Sequence, residues 1–117
     1  MSHTPLRLYH NARCSKSRSA CALLAERGLE PEIIEYLKTP PSPSELRELC
    51  AKLGIAPSAL VRRGEALFQE QFAQQTLTED QWCEALSAHP ILIERPVFVC
   101  GDRAVIGRPP ERVLELL

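Results

Sequence analysis

A chain of 117 residues has room for one domain and one core, and at this size it needs neither disulfides nor metals as props. Fourteen Lys and Arg against fifteen Asp and Glu leave a formal charge of −1, so nothing global points to nucleic acid or an anionic membrane. With 44% apolar and 25% charged residues the chain reads as globular rather than disordered, and no apolar run approaches the roughly 18 residues of a membrane-spanning helix. Met1 to Pro5 lacks the basic and apolar stretches of an export signal, so a cytoplasmic location is expected. The five cysteines (14, 21, 50, 83, 100) are odd in number and contain no Cys-x-x-Cys pair. That favours reduced thiols over a disulfide framework and argues against zinc.

Leu6 to Tyr9 is rich in strand formers and reads as an opening strand. A polar stretch, Asn11 to Ser19, leads into a helix through Ala20, Cys21, Leu23, Leu24 and Ala25 that Gly28 closes. Residues 32–37 form a second strand candidate, and strand, helix, strand in this compass suggests a right-handed βαβ unit with parallel strands. After the Pro-rich connector at 39–43, Ser42 and Glu45 form a capping box with Pro43 at the first helical position. Leu46, Leu49, Cys50 and Leu53 then repeat at helical spacing up to Gly54. A short helix is expected over 57–63, and Thr78 with Gln81 opens another helix bearing Trp82, Ala85, Leu86 and His89 on one face. Val97 to Cys100, the Gly101-Asp102 turn and Ala104 to Ile106 read as a β-hairpin, followed by a terminal helix after Pro109-Pro110. The expectation is an α/β thioredoxin-like sandwich: one domain over 1–117 with a small mixed four-stranded sheet, βαβ then ββα. A helical insert spans about 43–89.

Cys14 is set apart by position, in the run His10-Asn-Ala-Arg-Cys-Ser-Lys-Ser-Arg18 between the first strand and the first helix. A thiol at a helix N-terminus faces unsatisfied N–H groups and the positive end of the helix dipole, both of which favour the thiolate. Arg13, Lys16, Arg18 and a protonated His10 would add to this, and the same N–H groups can cradle an oxyanion. At this point a partly exposed cysteine in a basic loop, without a role, stays open. Cys50 lies in the apolar stripe of its helix and reads as core; Cys100 reads as packed or at the turn, and Cys83 as a surface thiol. On an intact helix Cys21 stands about 10 Å from Cys14, beyond disulfide reach. A Cys-x5-Arg phosphatase loop would need arginine where Ala20 stands, and a dithiol motif would need cysteine where Ser17 stands. Cys14 would therefore need an external thiol to complete a redox cycle. Arg62, Arg95 and Arg108 each sit at an expected boundary of an element, and their forks suit bidentate binding of a tetrahedral oxyanion.

Taken together, Tyr9 to Arg18, Tyr36 to Pro41, Ala59 to Arg62, Thr78 to Trp82, His89 to Val97 and Ile106 to Pro110 resemble the glutaredoxin-coupled arsenate reductase family of the ArsC type. The motifs run in order over nearly the whole chain. The resemblance implies that Cys14 is the nucleophile and that Arg62, Arg95 and Arg108 surround the arsenic oxyanion. It implies that His10 helps to activate the cysteine, that Ser17 supports the thiolate beside Arg18, and that Arg95–Pro96 is a cis peptide. It implies no bound cofactor or metal, glutathione as reducing co-substrate and glutaredoxin as partner; the small size and near-zero charge are compatible with a monomer. Ala12 replaces a proline common in the family. Ser15-Lys16 in place of the plasmid-type Gly-Thr, with no longer C-terminal tail, suits a short chromosomal-type subgroup. Two other readings stay open: a glutathione-dependent thiol oxidoreductase of the same fold with another substrate, and a non-catalytic regulatory module that binds RNA polymerase. The absence of a Cys-x-x-Cys switch counts against the second.

Overall fold

The computed structural model describes residues 5–117; residues 1–4, on which the expectation about an export signal partly rests, lie outside them. Among the described residues no helix is long and apolar enough to cross a membrane. The chain divides into two compact units, one formed by residues up to Thr39 together with Arg95–Leu117, the other by Pro40–Glu94.

In the first unit, strands β1 (Leu6–Tyr9), β2 (Glu32–Ile34), β3 (Val97–Cys100) and β4 (Arg103–Ile106) form one sheet in the order β2-β1-β3-β4. β1 and β2 are parallel, joined by helix α1 (Ser15–Glu26), whereas β3 runs antiparallel to both β1 and β4. Side chains alternate across a strand, so residues opposite one another share a face. Leu8 stands opposite Phe98, and Phe98 opposite Val105. This row joins Ala20 and Leu24 of α1 and Val113 in a single buried cluster. Burying a side chain such as Phe98 contributes about 2–3 kcal/mol. The terminal helix at Pro110–Leu116 is a 3-10 helix, opened by Pro110 and packed through Val113.

The next row fixes where the loops emerge. Tyr9 stands opposite both Ile34 and Val97, and Val97 opposite Ile106. The chain therefore leaves β1, β2 and β4, and enters β3, at the same end of the sheet. β2 stops at Ile34 rather than at Leu37 as its composition suggests. The Lys38 and Thr39 N–H groups both donate to the Glu35 carbonyl at 2.9 Å, closing a turn that carries Tyr36 into the interior.

The second unit is helical, with α2 (Pro43–Leu53), α3 (Ala66–Gln71), α4 (Glu79–Ala88) and 3-10 turns at Pro57–Leu60 and Pro90–Leu92. The expected helix over 57–63 is only that first turn, because Val61 pairs with Ile93 in an isolated β-bridge. Ser42 Oγ accepts the Glu45 N–H, and Thr78 with Gln81 makes a full capping box. Each such cap supplies an acceptor that the first helical turn lacks, worth about 1 kcal/mol. The Trp82 ring packs against Phe68 and Phe72, with centroids 6.2 and 5.8 Å away. Cys50 is core, as its stripe predicts. Cys83 is fully buried and not the expected surface thiol, since the inward face of α4 is broad enough to include it beside Trp82.

Gly107 follows β4 where the backbone passes close to two other segments. An added Cβ would meet Pro96 Cγ and Val113 Cγ1, both at 3.0 Å. Gly107→Ala is therefore expected to lower stability by about 1–3 kcal/mol through overpacking. Gly64→Ala, where an added Cβ meets nothing within 4 Å, should stay within about 0.5 kcal/mol. Urea midpoints of the two variants check the difference.

Candidate functional site

The loop between β1 and α1 is built from its own backbone and from two side chains of the helix. Asn11 opens it: its Oδ1 accepts the Arg13 N–H at 3.0 Å and its carbonyl accepts the Cys14 N–H at 2.9 Å. This is the local mimic of a turn for which asparagine is suited. The helix then holds the loop from the other side. Ser17, wholly buried, accepts the Asn11 N–H on its Oγ at 3.3 Å, and Arg18 Nη1 donates to the Ala12 carbonyl at 2.9 Å. Cys14 sits in extended conformation as the residue before α1, and its carbonyl accepts the first helical bond, from the Arg18 N–H at 3.0 Å.

The Cys14 thiol is half-buried and reduced. Burial raises its pKa, but the Ser17 and Lys16 N–H groups, the Ser17 hydroxyl and the Arg108 guanidinium together outweigh burial and hold it below the ordinary value. The side chain makes no capping hydrogen bond of full geometry, so these groups act on the sulfur as oriented dipoles rather than as a tight cap. A cation acting on the sulfur, Arg108, comes from the far end of the sequence. Arg108 lies just after β4, its N–H donating to the Ile106 carbonyl at 2.9 Å and its Nη1 to the Arg95 carbonyl at 3.4 Å. Arg95 and Arg108 are both half-buried, and each precedes a proline through a cis peptide. The resemblance implied the first of these bonds; the second was not anticipated.

His10 differs from expectation. Burial and the neighbouring Arg18 push its pKa below the usual 6.5, and Glu35 only partly opposes them. The imidazole is thus uncharged at neutral pH and is not the cation expected beside Cys14. Its Nδ1 is shielded from water and bonded by no group among the described residues. Beside it a groove of about 290 Å³ is lined by residues 10–13 of the loop and by Glu35, Leu37 and Lys38 after β2. Arg62 belongs to the second unit, where its Nη1 pairs with Glu65 Oε1 at 2.7 Å and its N–H donates to the Leu92 carbonyl. The other thiols are less reactive or packed. Burial, with the charges of Cys83 and Glu79, pushes Cys50 up to about 11, and burial also raises Cys83. Cys21 and Cys100 pack against the core of the first unit. No group of three His, Cys, Asp or Glu side chains able to hold a metal ion occurs among the described residues.

Residues that sequence reasoning passed over are Asn11, Glu35 and Gly107. Asn11 carried a readable signal, an asparagine two residues before a turn N–H. Glu35 carried none, because it meets His10 only through the pairing of β1 with β2.

The ArsC family model matches residues 9–116. The chain is 44% identical to the uncharacterized protein YfgD of Escherichia coli (strain K12), covering 96% of each. It is 42% identical to an arsenate reductase of Haemophilus influenzae, over 94% of this chain and 97% of that one. Among solved structures, arsenate reductase from Vibrio cholerae superimposes with a TM-score of 0.93 at 43% identity, over 99% of this chain and 100% of that one. The fold is accordingly of the expected class, α/β and thioredoxin-like, with a mixed four-stranded sheet.

Alkylation by iodoacetamide should fall first on Cys14, with a rate that rises with pH and inflects below the free-thiol value of about 8.5. Above the inflection the thiolate predominates and the rate levels off; below it the thiol is protonated and the rate falls about tenfold per pH unit. Ser17→Ala and Arg108→Met should each move the inflection upward. An inflection at the free-thiol value in the native protein would contradict a preformed thiolate.

Proposed function

Because the chain belongs to the ArsC family, we propose that it is an arsenate reductase in which Cys14 is the nucleophile and thiols supply the electrons. The observation that carries the reading is the placing of Cys14 before the first turn of α1, its thiolate favoured by Ser17, Lys16 and Arg108. The homologues named arsenate reductase support the substrate. Arsenate is a tetrahedral oxyanion, and guanidinium forks with helix N–H groups are the donors such a charge requires. Arg108 and Arg95 take this role, and Arg62 joins the assignment on the family resemblance alone. Ser17 and Arg18 hold the loop, and neutral His10 neighbours it.

The Cys14 thiolate attacks arsenic, forming an S–As bond while one As–O bond breaks and that oxygen leaves as water. Glutathione displaces a second oxygen from arsenic as water. A glutaredoxin thiol then attacks the glutathione sulfur; the S–S bond forms as that S–As bond breaks and leaves its electron pair on arsenic. Water cleaves the Cys14–As bond to return the thiol. In sum, arsenic(V) gains two electrons, two thiol sulfurs lose them to form a disulfide, and the products are arsenite, disulfide and water. Ser17 occupies the place where a second cysteine would make the cycle internal, which supports an external thiol as reductant. The reading takes the chain as one working domain with its helical insert, acting as a cytoplasmic monomer without a bound cofactor.

Arsenite formation should depend on both glutathione and glutaredoxin, and Cys14→Ser should abolish it while leaving the urea midpoint nearly unchanged. Cys50→Ser should lower stability by about 1–3 kcal/mol by burying a hydroxyl and retain turnover in the folded fraction. A reactive Cys14 without arsenate turnover would remove arsenate as substrate and leave the thiol oxidoreductase reading.

A further inference from the structure

The groove beside the Cys14 loop has no part in the steps above. One wall is the loop itself and the other is the turn after β2. The two walls emerge together because Tyr9 stands opposite Ile34. Its charges are Arg13 and Lys38 on the positive side and Glu35 on the negative, with Lys38 Nζ 3.4 Å from Glu35 Oε1. His10 brings a water-shielded Nδ1 that no described residue bonds, and Leu37, 40% exposed, adds an apolar edge.

We propose that this groove binds the thiol co-substrate, a zwitterionic cysteinyl peptide of the glutathione class, with Arg13 and Lys38 taking its carboxylates and Glu35 its ammonium. The inference rests on the function proposed above and names where its second substrate sits. Charge complementarity supports this occupant. Two cations and one anion, beside a neutral imidazole, leave the groove at about +1, and the peptide with two carboxylates and one ammonium carries about −1. Reach supports it as well. Arg13 lies one residue, about 3.8 Å between Cα atoms, from Cys14, while an extended tripeptide spans roughly 10 Å. A peptide held by its ends in the groove can therefore bring its sulfur to the Cys14 adduct. Glu35 and Lys38, already paired, present both signs of charge side by side, which an inorganic oxyanion would not need.

The test uses S-methylglutathione, which cannot form a disulfide, titrated into the full chain and followed by amide NMR shifts. Perturbations should centre on residues 10–13 and 35–38, and added salt should weaken them, because exposed charges are screened. Lys38→Glu and Arg13→Glu should each weaken binding about five- to tenfold, while the Cys14 alkylation inflection of Lys38→Glu stays in place. In turnover, Lys38→Glu should raise the KM for glutathione by a similar factor and leave the KM for arsenate unchanged. Perturbations elsewhere, absence of binding, or an affinity unchanged from the native chain in both variants would overturn the proposal. A KM change for glutaredoxin alone would also overturn it and make the groove a face for the protein reductant. Arsenate turnover with an unaffected glutathione KM would sink the groove and spare the function. Binding in the groove without arsenate turnover would do the reverse.

Discussion

The pairing of Tyr9 with Ile34 on one side and Val97 on the other, continued by Val97 with Ile106, decides where every chemically active segment of the first unit appears. Each strand contributes its end to that row. The Cys14 loop, the turn at 35–38, the Arg95–Pro96 peptide and Gly107-Arg108 leave the sheet side by side, although they are spread from residue 10 to residue 108. A one-residue slip of β3 against β1 would turn Phe98 out of the core beside Leu8. The buried row of Leu8, Phe98 and Val105 thus fixes the register, and the register in turn fixes the site. Electrostatics then follows from topology: a charge that favours the Cys14 thiolate arrives on Arg108, carried there by β4.

Within that frame the loop is held from both sides. Ser17 is central because its hydroxyl oxygen accepts from Asn11 while the same group faces the sulfur. A buried hydroxyl with two such tasks positions a nucleophile more firmly than backbone contacts alone. The region after β2 is different in kind, with exposed charges, an exposed leucine and a groove. The same loop therefore presents a rigid face towards the helix and an open one towards β2.

What the sequence revealed depended on how local each cause was. The hairpin announced itself by its turn, the starts of α2 and α4 by their caps, and the special position of Cys14 by the change from strand to helix beside it. Features created by tertiary contact were hidden. His10 reads as a cation among basic neighbours, but burial against the turn after β2 keeps it neutral. Cys83 reads as a flank of the Trp82 stripe, and only the packing of α4 buries it. The strand at 32–37 is rich in β-formers as far as Leu37, but the two N–H groups that converge on Glu35 end it early. Arg62 is legible as a boundary arginine, while its pairing with Glu65 depends on the turn between them.

The way the remaining cysteines are stored carries a consequence for the product. Trivalent arsenic seeks sulfur, and it binds most firmly where two accessible thiolates can close on it together. Cys50 and Cys83 are sealed inside the helical unit, with protons that burial makes hard to remove. Cys21 and Cys100 are packed against the core of the other unit. Two of the five thiols, Cys50 and Cys83, are thereby withdrawn from the trivalent arsenic that the proposed reductase would release, and the half-buried Cys14, Cys21 and Cys100 are those left within its reach.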